Sequence, residues 1–160
     1  MAKIKRSQLA TYVDTSTTTG TNYVLLGVGV TAGKVAMNPE ITTETYIHED
    51  TATKTTDSYA PSMPVEMYLD TADPVSLFVD GIRQLRKVGA DAETDIVHVN
   101  KYQSTNSSGW YPAERQTVSI SVEDNGGDGG VPIKLNFTFN YKGNGSSGYF
   151  DVSSSSFYAN

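Results

Sequence analysis

The stretch GVGVTAGK, residues 27–34, ends in the Gly-Lys pair of a phosphate-binding loop. Such a loop needs a glycine five places before its second glycine and a Ser or Thr after the lysine, so that backbone N–H groups cradle phosphate and a hydroxyl holds magnesium. Here those places hold Val28 and Val35. The dinucleotide-binding fingerprint fails as well, because Gly27, Gly29 and Gly33 are spaced one residue too widely. The simpler reading is a strand whose glycines admit a close neighbouring backbone. EDNGGDGG, residues 123–130, mixes acids with glycines but lacks the alternating ligands and closing Glu of a calcium loop, so a hairpin turn is expected.

The two histidines, His48 and His98, lie far apart, and no serine sits in a strand-to-helix elbow where a base would activate it. His98 falls on the outward face of an expected strand, with Asn100. With no cysteine in the chain, a disulfide framework, a thiolate zinc site and a cysteine nucleophile are excluded together. No catalytic residue, cofactor-binding residue or metal ligand is therefore expected, and the chain reads as a non-enzyme. Glycosylation triplets start at Asn106, Asn136 and Asn144. The first residues, MAKIKRSQLATYVD, lack the apolar core of a signal peptide, so these triplets carry no weight.

The elements that would have to position any site are clearer. In PVSLFVDGIRQLRKV, residues 74–88, Val75, Phe78, Ile82 and Leu85 recur at helical spacing, and Ser76, Asp80, Arg83 and Lys87 take the opposite side. Asp73 is placed to cap the helix, Pro74 to begin it and Gly89 to end it. Almost everything else alternates as antiparallel strand. Val118, Ile120 and Val122 share one face, as do Ile133, Leu135, Phe137, Phe139 and Tyr141 on a second strand and Val97 and Val99 on a third. NYVLLGVGV also reads as a strand. The glycine-rich stretches 124–130 and 142–148 read as hairpin loops, and 102–114 as a longer surface loop. A single mainly β (α+β) domain over residues 1–160 follows, with one helix.

The bulk numbers narrow the partners. A net charge of −6 argues against gripping nucleic-acid phosphates. No apolar run is long enough to span a membrane. What remains unexplained is the polar, threonine-rich excursion NPEITTETYIHEDTATKTTDSYAPS, within residues 37–62. Ordering about 25 residues costs tens of kcal/mol at roughly 1–2 kcal/mol each. The apolar anchors Ile41, Tyr46, Ile47 and Tyr59 are too few to offset this on their own domain. Docking on another copy would order the segment, and head-to-tail docking of that kind builds rings or filaments.

This excursion ending in YAPSMPVE, followed by the DP helix with its basic end and by DAETDIVHV, resembles the major tail (tail tube) protein of long-tailed bacteriophages over about residues 36–141. The resemblance implies a β-barrel or sandwich with one flanking helix, hexameric rings stacked as a tube, and a conduit for DNA ejection. It implies an inter-subunit arm carrying Asn38, Pro39, Ile41, Tyr46, Ile47, His48, Tyr59 and Pro61, with residues 3–6 and the C-terminal SSSSFYAN as further contacts. Ser119, Ser121, Asn136, Thr138 and Asn140 are candidates to line the lumen. The implied partners are the chain itself, a tape measure protein, a tail terminator, distal tail or baseplate proteins and genomic DNA passing without specific binding. The implied place is the virion tail, assembled in the host cytoplasm. A tailocin or secretion-system tube would use the same physics. A carbohydrate- or receptor-binding β-module is the alternative of a different class.

Overall fold

The computed structural model describes residues 2–16, 20–103 and 109–160; the triplet at Asn106 lies outside them. In chain order the strands are β1 (Leu9–Asp14), β2 (Tyr23–Leu25), β3 (Val30–Gly33), β4 (Pro39–Glu44), β5 (Thr53–Tyr59) and β6 (Ser62–Tyr68). Helix α1 (Pro74–Leu85) follows, then β7 (Glu93–Asn100), β8 (Trp110–Gly126), β9 (Lys134–Tyr141), β10 (Ser146–Asp151) and β11 (Ser156–Ala159). Nine strands form one antiparallel sheet in the order β2-β1-β7-β8-β9-β6-β3, with β10 and β11 attached at β8; β4 and β5 pair only with each other. The path is open, ending at β2 and β3.

The expected alternation positions the main core. Val118 and Ile120 of β8, Leu135, Phe137 and Phe139 of β9, and Met63, Val65 and Met67 of β6 are buried on one face. Val75, Val79 and Ile82 of α1 pack into the same cluster, as do Val13 of β1 and Ile96 of β7. Val24 and Val30, from the two end strands, join it too, so the sheet curls around the helix. Ile133, expected in line with Leu135, precedes the strand and is exposed.

A second cluster lies under the opposite face of β1 and β7. Tyr12, Tyr23, Val97, Val99 and Ala113 pack around Phe150, whose ring centroid is 4.4 Å from that of Tyr12. β7 is consequently covered on both faces. This corrects the outward placement of His98, which is 7% exposed on the same face as Ile96. Thr11 Oγ1 hydrogen-bonds its Nδ1 at 3.0 Å, and the Tyr141 hydroxyl meets its Nε2. Burial first, and the Arg6 cation second, push its pKa down to about 4.

Three other expectations change for local reasons. NYVLLGVGV is two strands, because Gly29 adopts φ +73 in the turn between β2 and β3. The close backbone expected beside these glycines is found at Gly29, where a Cβ would lie 3.2 Å from Tyr68 O, whereas at Gly33 the near atom is the side-chain Met63 Cε at 3.0 Å. Residues 124–130 fall within the β8–β9 hairpin as expected, but 142–148 do not make one. β9 and β10 pair end to end along the same edge of β8, with 142–145 looped out between them. Buried Gln116 holds that loop, its Nε2 donating to Lys142 O at 3.0 Å and Gly143 O at 3.1 Å. Of the surface loop 102–114, β8 takes the part from Trp110 onward, while 104–108 lie outside the described residues.

The helix is capped by Asp73, which accepts from Val75 N, and Pro74 opens it. It stops three residues early, because Arg86, at φ 48, already takes the left-handed position that ends it, and Gly89, also left-handed at φ 62, falls beyond the helix. Arg86 N–H donates to Arg83 O and Lys87 N–H to Ile82 O, closing a Schellman motif. Leu85 is thereby left exposed. Ser76 and Asp80, expected on the outer side, are buried, Ser76 Oγ accepting from Asp70 N at 3.0 Å.

Candidate assembly arm and polar sheet face

The excursion is a β-ribbon. Its threonine runs, either side of a polar turn, are β-branched and favour extended backbone, a signal present in the sequence. Pairing runs from Pro39↔Tyr59 to Glu44↔Thr53, with a bulge between Glu40 and Ile41. The root is tied to the sheet by Ala36 N to Ser62 O at 2.7 Å and Ser62 N to Ala36 O at 2.9 Å. Asn38 turns the chain at φ 47 and donates Nδ2 to Ala60 O at 3.0 Å. The arm therefore grows out of the β3–β6 edge of the sheet.

Every residue of β4 and β5 is exposed. An isolated two-stranded ribbon is at best marginally stable in water. Ile41, Tyr46, Ile47 and Tyr59 all expose large apolar surface, Ile47 most of all. Tyr46 and His48 stack at 6.2 Å, and the Tyr46 hydroxyl donates to Glu44 at 2.8 Å. Pro61, at the base, is half-buried. All eight residues expected on the arm are brought together on this one ribbon.

The second set, Ser119, Ser121, Asn136, Thr138 and Asn140, shares the sheet face opposite the main core. Ser119 pairs with Asn140, and Ser121 with Thr138. Asn140 Nδ2 reaches Ser121 Oγ at 3.0 Å and Asn136 Nδ2 reaches Asp124 Oδ1 at 2.6 Å. Glu123, extruded by a bulge in β8, accepts from Thr138 Oγ1 at 3.2 Å. On flanking strands, Glu66 pairs with Lys134 at 3.2 Å and Glu93 with Lys142 at 2.7 Å. Carboxylates outnumber cations on this face, and its amides and hydroxyls donate mostly to those carboxylates, with one amide-to-hydroxyl bond from Asn140 to Ser121.

Among the described residues no group of three His, Cys, Asp or Glu is placed to hold a metal. No helix among them is long and apolar enough to cross a membrane. What this chain presents is an open antiparallel sheet curled on one helix, with a ribbon projecting from its edge and a polar face behind its core. Solved structures with that architecture include the SPP1 tail tube, matched at a TM-score of 0.68 and 12% identity over 91% of this chain and 78% of that one. The chain has a tail-tube fold. The tail of an empty GTA particle, refined with C6 symmetry, matches at a TM-score of 0.65 and 13% identity over 90% of this chain and 98% of that one. No family model matches the sequence, and no curated protein matches it. The tail-tube fold accordingly rests on the order and pairing of strands, which identity this low does not obscure.

The terminal segments of the tail-tube fold are tied to their own chain. Arg6 donates to the carbonyls of Gly33 and Leu9. β11 pairs with β10, and Tyr158 stacks on Trp110 at 4.9 Å and 5°.

Proposed function

We propose that this chain is a structural subunit, without enzymatic activity, that assembles into hexameric rings stacked as a phage tail tube. A single tail-tube domain would form the ring wall, and the arm at 37–62 would reach the adjoining ring. The observation that carries this reading is the arm itself, a ribbon exposed along both strands on a fold shared with the SPP1 tail tube and with a GTA tail of C6 symmetry. A ribbon with no core of its own becomes stable when a partner covers its apolar side chains, and an identical subunit supplies that partner in every copy.

The polar face of β8 and β9 would line the bore. Its excess of carboxylates repels phosphate, and hydroxyls and amides already donating to those carboxylates offer DNA few free donors. Only charges facing the bore count, because screening confines the effect to about 8–10 Å. Most of the formal −6 lies elsewhere, as five carboxylates against Lys54 alone put a net −4 on residues 37–62. The further partners of this reading are a tape measure protein within, terminator and baseplate proteins at the ends, and passing genomic DNA, with assembly in the host cytoplasm and residence in the virion tail.

Negative-stain electron microscopy beside light scattering tests the reading, with the whole chain and with the 37–62 ribbon shortened. Rings or tubes from the first and folded monomers from the second are expected. A chain that stays monomeric at high concentration, and whose shortened form still supports tail assembly, would sink it and turn attention to glycan binding.

A further inference from the structure

We infer that the arm of one copy docks in the groove between the end of α1 and the free edge of β8 on a second copy. This rests on the assembly reading above and names the surface that receives the arm. Three independent observations converge on it.

The first is position along the strands. The arm leaves the sheet where Ser62 pairs with Asn140, and its β5 end lies beside Glu114, Arg115 and Gln116. The opposite end of the sheet is marked by Tyr68 against Lys134 and Lys134 against Gly126. β7 begins only opposite Ser119, so from Ile120 to Gly126 β8 has, among the described residues, no strand on its β7 side. That unpaired edge runs from the middle of the sheet to the end away from the arm. A head-to-tail stack needs donor and acceptor at opposite ends, and this chain has them so.

The second is charge. The arm's acids have complements on the helix end, where Arg86 and Lys87 form no ion pair among the described residues. Arg83, one turn earlier, is held by Asp80 at 2.7 Å and is less available. The basic cluster Lys3, Lys5 and Arg6 near the N-terminus is weaker as an acceptor, because Arg6 is spent on backbone carbonyls.

The third is apolar surface. Val88, 78% exposed, lines the groove with Ile82 and Ile120, and Leu85, 73% exposed, ends the same helix beside Arg86. The arm tip presents Tyr46 and Ile47, followed after His48 by Glu49 and Asp50. Seating Ile47 against Leu85 and Val88 brings those carboxylates beside Arg86 and Lys87. Extended backbone near the tip then lies along the unpaired β8 edge, where strand addition satisfies its amides.

The absence of native cysteine makes the test direct. Chains carrying Ile47→Cys and Val88→Cys are mixed under assembly conditions, oxidised and run on a non-reducing gel. The expected result is a mixed disulfide dimer from that pair, and a ladder from the chain bearing both substitutions. Ile47→Cys mixed with Val28→Cys, an exposed apolar position in the β2–β3 turn away from the groove, is expected to give at least tenfold less. Arg86→Glu with Lys87→Glu should abolish the cross-link, and Glu49→Lys with Asp50→Lys on the arm should restore it. Arg86→Gly guards against a folding artefact, since glycine suits the left-handed position. It should keep or raise Tm while weakening assembly. Tubes that form normally while the Ile47–Val88 pair stays uncross-linked, or cross-links no better than the Val28 control, would overturn the groove and leave the tube reading standing. Failure of the wild-type chain to associate, with no effect of shortening the arm, would overturn both.

Discussion

His98 shows how strongly one side chain depends on residues remote in sequence. Thr11 and Tyr141 close over it from two other strands, and burial holds it neutral. With a folded pKa near 4, below the ordinary value of 6.5, the unfolded chain takes up a proton first as pH falls. Stability from this group is therefore full above pH 6.5 and is lost as pH drops through 4. The loss is on the order of 3 kcal/mol, because each pH step of one between the two values is worth about 1.4 kcal/mol. Urea midpoints measured from pH 7 to 4 should fall more steeply for the wild type than for His98→Gln; parallel curves would refute this account. Phe139 presents a simpler case, fully buried at the centre of the main core. Phe139→Ala should cost about 3–5 kcal/mol in equilibrium unfolding.

At the level of elements, the break between β9 and β10 is the informative irregularity. Both strands run along one edge of β8, and Gln116 ties the looped-out residues 142–145 to it. Gln116→Ala would leave the Lys142 and Gly143 carbonyls without their side-chain donor, a cost of about 1–3 kcal/mol. Hydrogen exchange should quicken around 141–147 and remain unchanged in α1. Uniform quickening across the sheet would mean instead that the loop has no separate stability. A substitution at Gly145 belongs to the same element, since a Cβ there would meet Arg115 O and Gln116 Oε1 at 2.8 Å.

For the whole molecule, the arm and the sheet separate energetically. Because β4 and β5 contribute nothing buried to either core cluster, removing residues 40–58 and joining the stubs should move Tm by only a few degrees. A drop of about 15 °C or more would show that the ribbon supports its own sheet. The polar face offers a functional counterpart. Ser121→Lys with Asn140→Lys puts cations where the proposed bore is negative, so tubes should form normally while DNA ejection slows. Normal ejection would place that face on the exterior.

The sequence by itself determined the elements whose cause is local. The period of Val75, Phe78 and Ile82 made a helix, alternation aimed Phe137 and Phe139 at a core, and the lack of anchors marked 37–62 as a projection. The ribbon's pairing was legible too, had the threonine runs been weighed as strand. Tertiary structure alone decided the rest. Alternation reports which residues share a face but not whether a second layer covers it, and so His98 looked exposed until Tyr141 and Thr11 closed over it. Glycine content marks where a left-handed residue is cheap, not where the helix must end, and so Arg86 took the position expected of Gly89. Strand periodicity is set by the backbone of one segment. Burial and pairing are set by chain brought from dozens of residues away, and only the folded sheet specifies which.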